Sequence, residues 1–147
     1  SMIMDSCIND FVSGEIEHAV YEAWKSESPD LIVIEGQGSL MNPAYPGGFE
    51  ILAAGRPDYV ILQHAPKRVE YDGFPGYVLH PLKEQINAIE TISGIKVIAV
   101  TVYHELLDKG EILKECAKIT NECGLPAYDV LEHGAEQLVE LLKSVIK

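Results

Sequence analysis

Glu35 is the first residue in the chain placed for chemistry. It ends the apolar run Leu31–Ile34 and is followed by Gly36-Gln37-Gly38-Ser39. A carboxylate where an apolar strand meets a flexible turn is where P-loop proteins hold Mg²⁺, directly or through water. Glycines at such a turn let the backbone approach a ligand closely or adopt positive φ. The structural alternative is a glutamate that caps the amides of its own turn, and short motifs of this kind also arise without function. The local pattern favours the ligand role for Glu35, with Mg²⁺ as the metal.

Two further runs end in groups that can carry charge or protons. His64-Ala65-Pro66-Lys67-Arg68 follows the second run. Arg68 can clamp a phosphate or carboxylate with two parallel hydrogen bonds, and Lys67 adds charge. His64 suits proton transfer near neutral pH. A solvated loop explains the same two cations equally well. The third run ends in His104-Glu105, which reads as the ordinary polar start of a loop. The loops MNPAYPGG and YDGFPGY carry Tyr45, Tyr71, Phe74 and Tyr77. Aromatic loops usually pack on their own domain, so ordered connections are favoured over a lid or pocket wall. No HxxxH, HExxH, GxSxG, GxGxxG or GxxxxGKS/T spacing occurs. The chain therefore has an acidic loop of the Mg²⁺ type and nothing that cradles phosphates.

The elements that must hold these residues follow from periodicity. Val12, Ile16, Val20 and Trp24 recur four apart with Phe11 and Ala23 alongside, one face of a helix that Asn9 or Asp10 caps and Pro29 closes. The runs at Leu31–Glu35, Tyr59–His64 and Ile95–Tyr103 are of strand length and dense in β-branched residues. Strands apolar on both faces suit a parallel sheet covered by helices. Leu82, Ile86 and Ile89 mark one helix; Ile112, Leu113, Cys116 and Ile119 mark another that ends at Gly124. A short strand near Ala127–Val130 and a helix with Leu138, Leu141, Leu142 and Val145 inward complete the order. Alternation of this kind predicts an α/β fold, an open parallel sheet with flanking helices. Ligands of such sheets bind off the carboxyl ends of the strands, where Glu35, His64 and Arg68 fall.

Composition bounds the partners. The chain has 147 residues, 47% of them hydrophobic, and no apolar stretch near the roughly 20 residues that cross a bilayer. SMIMDS lacks the basic and apolar regions of a secretory leader. With 23 acidic against 11 basic residues the net charge is −12, which argues against a nucleic-acid or anionic-membrane surface. Three cysteines, Cys7, Cys116 and Cys123, include no CxxC pair; an odd count suits buried thiols in a reducing cytoplasm and makes zinc a poor expectation.

The segments DFVSGEIEHAV, LIVIEGQGSLMNPAY, GRPDYVILQHAPKR and the INAIE helix together resemble one bacterial and archaeal family. Its members join an N-terminal Rossmann-like domain to a C-terminal P-loop NTPase-like domain; it was long of unknown function, is also labelled NAD-dependent epimerase/dehydratase, and includes D-glutamate N-acetyltransferase. The resemblance runs from about Cys7 to the C-terminus. It implies that residues 1–147 form a single α/β domain, the C-terminal portion of a nucleotide-binding domain whose glycine-rich loop precedes the matched segment. It further implies Mg-ATP or acetyl-CoA as cofactor, a small and possibly acidic amino acid as substrate, and little activity in the 147-residue chain alone. The turn after Ile34 is also similar to that of dethiobiotin synthetase-type ligases, as is Gly124-Leu125-Pro126. By position, Glu35 resembles the family's metal-associated acid, and Gly36, Gln37, Gly38 and Ser39 its ligand loop. His64 and Arg68 match its H-x-P-x-R, while Asp10, Gly14 and Glu17 match DFxxGxxE. The chain departs from the family at AVTVYHE, where relatives carry an Asn-containing segment, so a contact to a nucleotide base does not carry over. The alternative reading is a non-catalytic scaffold that forms homo-oligomers through an uncovered sheet edge.

Overall fold

The structure, a computed structural model, describes residues 8–36, 40–44 and 47–146. Contacts divide the chain into two compact units, the first running to Asp58 and the second from Tyr59 onward.

The first unit is built on two helices, α1 (Asn9–Glu27) and α2 (Gly47–Gly55). Asp10 lies in the first turn of α1 and Lys25 in the last, each complementing the helix dipole. Ser28 takes φ 46° and donates its N–H to the Trp24 carbonyl at 2.7 Å, and Pro29 prevents continuation. Val12 and Ile16, one turn apart, are buried, and α1 packs on α2. A Cβ added at Gly55 would lie 3.0 Å from Ile34 and 3.6 Å from Ile16. The end of α2 therefore meets both α1 and the Leu31–Gly36 segment. The apolar stripe expected along α1 is buried only in its first turns: Trp24, on the same face, is 55% exposed.

Leu31–Gly36 departs from expectation. The run forms no strand, and the sheet among the described residues has three strands rather than four. Ile32 and Ile34 are half-buried while Leu31 and Val33 are exposed, Val33 at 80%. Apolar, β-branched residues favour a pleated and half-buried setting, but packing decides which neighbour, if any, supplies the hydrogen bonds.

The second unit carries the sheet. Its elements are β1 (Val60–His64), α3 (Leu82–Ser93), β2 (Val97–Val102), α4 (Lys109–Cys123), β3 (Ala127–Tyr128), α5 (Val130–His133) and α6 (Glu136–Val145). The strands are parallel in the order β1-β2-β3. His64 stands opposite Val102, and Thr101 opposite Tyr128. Central β2 is covered on both faces, as a parallel strand must be; Ala99 and Val100 have no exposed surface. Val100 and Val102 pack with Ile112, Cys116 and Ile119 of α4, bordered by Leu82, Leu107 and Leu125. Gly124 closes α4 at φ 71°, donating its N–H to Thr120, a conformation that costs a Cβ-bearing residue about 1–2 kcal/mol.

The last strand is shorter than expected. Asp129 leaves it to cap α5, its side chain accepting the amides of Leu131 and Glu132 at 3.1 Å. The aromatic loop after β1 is an ordered connection. Leu79 donates its N–H to Val69, Glu70 and Val78 form an antiparallel bridge, and the buried Tyr71 hydroxyl meets His80 Nδ1 at 2.8 Å.

Candidate functional site at the carboxyl edge of the sheet

Parallel strands end side by side, so the residues after β1, β2 and β3 gather along one edge. The Tyr103 amide donates to the His64 carbonyl at 2.8 Å, which carries the pairing one residue past β2. Beyond it the three loops are tied together by side chains of opposite charge. Arg68 donates through both Nε (3.1 Å) and Nη2 (2.7 Å) to the same Glu105 oxygen, joining the first loop to the second. Lys67 reaches Glu111 in the first turn of α4 at 3.4 Å. His104 Nδ1 lies 2.6 Å from Asp129 Oδ2, joining the second loop to the third. Lys109 and Glu132 repeat that link at 2.6 Å.

Burial separates these contacts energetically. Both ends of the Arg68–Glu105 pair are more than a third exposed, and solvent-exposed ion pairs contribute about 0–1 kcal/mol. Asp129 is 1% exposed. A carboxylate so enclosed is costly unless its lone pairs are occupied, and three contacts occupy them: two backbone amides on Oδ1 and the imidazole on Oδ2. The His104 side chain keeps one third of its surface exposed.

Titration behaviour follows the surroundings. Burial pushes the His64 imidazole below its ordinary 6.5; Glu115 opposes that shift and Lys118 adds to it. The Asp108 amide holds the Glu111 carboxyl below the usual carboxylate range, helped by Lys67. Hydrogen bonding to Lys109 does the same for Glu132. Cys116 lies beside Asp129, and burial pushes its thiol up, which makes it a packing residue rather than a nucleophile.

The residues singled out by sequence fall in both units. His64 ends β1, and Arg68 follows in the adjoining loop. Glu35 and Gly36 are exposed at the end of the 31–36 segment, and a Cβ on Gly36 would meet Ile51 of α2 at 2.9 Å. The atom met is the tip of the Ile51 side chain, which a small rotamer shift moves aside. Asp10 is exposed in the first turn of α1. Gln37, Gly38 and Ser39 lie outside the described residues. Sequence reasoning set His104 aside as a loop residue and placed Asp129 inside a strand. One signal for Asp129 was present: an Asp before Val-Leu-Glu-His is a helix N-cap pattern. His104 has no counterpart signal, because its partner lies 25 residues away.

Comparison with known proteins adds a family. Residues 1–139 match the family described as "Domain of unknown function (DUF1611_C) P-loop domain". A protein of Tritonibacter scottomollicae named D-glutamate N-acetyltransferase is 30% identical over 148 residues, covering 97% of this chain and 44% of its own length. A protein of the same name from a Pseudoalteromonas species is 28% identical over 143 residues, covering 92% and 42%. A crystal structure of a DUF1611 family protein from Anabaena variabilis superposes with a TM-score of 0.88 at 26% identity, over 96% of this chain and 43% of that one. The chain thus spans less than half the length of the relatives it matches.

Proposed function

The chain belongs to the DUF1611 family, at its C-terminal P-loop domain, and from that premise we propose that it forms part of a nucleotide- or acetyl-CoA-dependent enzyme that acylates the amino group of a small acidic amino acid. The observation that carries this reading is the gathering of His64, Arg68 and His104 at the carboxyl edge of the parallel sheet, where open α/β sheets bind ligands. The names of two relatives that cover nearly the whole chain support the reaction class.

Arg68 serves the anionic part of the ligand, a carboxylate or a phosphate. Its guanidinium rests on Glu105, and an incoming anion replaces or shares that contact. His64, at the end of β1, is the group we assign to proton transfer, and burial disfavours its charged form. Ligand binding by Glu35, Gly36, Gln37, Gly38, Ser39 and Asp10, all in the first unit, is proposed from the family resemblance alone. No group of three or more His, Cys, Asp or Glu among the described residues is placed to enclose a metal, so Glu35, a single exposed carboxylate, would hold Mg²⁺ only together with waters and a ligand's phosphate oxygens. If bound, the ion neutralises phosphate charge. No helix among the described residues is long and apolar enough to cross a membrane. The proposal of a cytoplasmic enzyme rests instead on cysteine usage, with Cys116 and Cys123 as free thiols.

Calorimetric titration tests the reading on the protein expressed from its complete reading frame. Mg-ATP or acetyl-CoA binds, and Glu35→Ala weakens the Mg-ATP complex at least tenfold while leaving acetyl-CoA unaffected if the residue serves only the metal. Absence of binding by either ligand, or a variant that binds both unchanged, removes the proposed site. Assembly is the competing reading, favoured by the exposure of Leu31 and Val33 beside a packed segment. A homo-oligomer that binds neither ligand in the same titration, with its mass measured by light scattering, decides for it.

A further inference from the structure

The His104–Asp129 contact has features that neither packing nor capping requires. Capping of α5 occupies Oδ1 of Asp129, which receives the Leu131 and Glu132 amides. Among the described residues Oδ2 meets His104 alone, at 2.6 Å, and a hydrogen bond to an ionised acceptor is stronger than one between neutral groups. The carboxylate is buried, whereas the imidazole reaches solvent with one third of its side chain. With Nδ1 held by Asp129, Nε2 is the nitrogen left for a ligand. His104 also follows the central strand, between the loop that carries Arg68 and the loop that carries Asp129. His64 differs: among the described residues no side chain hydrogen-bonds its ring, and nothing selects its tautomer.

We propose that His104 and Asp129 act as a proton-accepting pair, in which His104 Nε2 takes a proton from the ammonium group of the acceptor amino acid and Asp129 orients the ring through Nδ1. This inference rests on the acyl-transfer reading above. The acyl donor is a thioester. The ammonium nitrogen loses one proton to His104 and one to solvent, and its lone pair forms the N–C bond to the thioester carbonyl. The C–S bond breaks, and His104 hands its proton to the departing thiolate. His104 is the catalytic residue; Asp129 is a positioning residue that fixes the tautomer, as the buried carboxylate does in acid–base triads.

Two variants of the protein from its complete reading frame test the pair. His104→Gln removes the base. Asp129→Asn keeps an oxygen for the two amides but sets an amide N–H₂ against Nδ1, which drives the imidazole proton to Nε2. Nitrogen NMR of ¹⁵N-histidine protein, at about two pH units above the ordinary histidine value, reads the tautomer without any substrate. The wild type carries its proton on Nδ1 and Asp129→Asn on Nε2. Acetyl transfer from acetyl-CoA to D-glutamate falls about 10²–10⁴-fold in kcat in both variants, with KM little changed. If Asp129→Asn melts far below the wild type, His104→Gln carries the kinetic arm. A wild type with the proton on Nε2 overturns the pair whatever the activity. Transfer by the wild type with kcat unchanged in His104→Gln overturns the pair and leaves the acyl-transfer reading standing. A wild type that transfers no acetyl group to any acidic amino acid, but shows the Nδ1 tautomer, overturns the acyl-transfer reading and with it the role given to His104.

Discussion

His64 ends β1 and His104 follows the neighbouring β2, yet their surroundings set them apart. Burial dominates at His64 and disfavours its charged form, whereas His104 faces a carboxylate and solvent. The His64 shift has a consequence for stability. Its folded pKa lies below the ordinary 6.5, so between the two values the unfolded chain binds a proton that the folded chain does not. Stability therefore rises with pH across that window. The penalty is absent above 6.5 and complete below the folded value. Replacing His64 by Gln removes this contribution, so the difference in unfolding free energy between variant and wild type grows as pH falls below about 6.5. Urea titrations at a series of pH values measure it, and parallel pH profiles for the two proteins would contradict the assignment. Of the residues that carry the site, Arg68 and His64 were visible as polar groups after apolar runs. Asp129 was hidden because a short strand and a helix cap share the same few residues.

At the scale of elements, the unit from Tyr59 onward rests on the seam between β2 and α4. Ile112 is 1% exposed and packs against Val100, Val102, Cys116 and Ile119. Ile112→Ala leaves a cavity there and costs about 2–5 kcal/mol, read as a lower urea midpoint with an unchanged slope. A cost below 1 kcal/mol would show that the seam relaxes around the gap. Helices α3 and α4 follow the sequence closely, because amphipathic periodicity and a terminal glycine are local signals. Leu31–Gly36 does not follow it. A greasy run carries no information about its hydrogen-bonding neighbour, and here one side contacts α2 while Val33 stays exposed.

For the molecule as a whole, charge is the dominant long-range property. A net charge of −12 over 147 residues repels itself in the folded state and repels phosphate-bearing ligands. The cations at the carboxyl edge are each matched by an acid: Arg68 with Glu105, Lys67 with Glu111, Lys109 with Glu132. Salt screens charges over about 10 Å at 0.1 M. Raising NaCl from low to moderate concentration therefore increases Tm, because the loss of self-repulsion outweighs the loss of a few exposed pairs. A Tm that falls with salt in a melting series would mean that those pairs dominate.

The sequence by itself determined the α/β class, the parallel arrangement, the boundaries of α3 and α4, and which loops would carry polar groups. These depend on periodicity, β-branching and glycine placement within a few residues. Only the tertiary structure decided that Leu31–Gly36 takes no strand pairing among the described residues, that Arg68 rests on Glu105, and that His104 meets Asp129. Each of those outcomes depends on which distant segment fills the space beside a residue, and no local pattern in the chain encodes it.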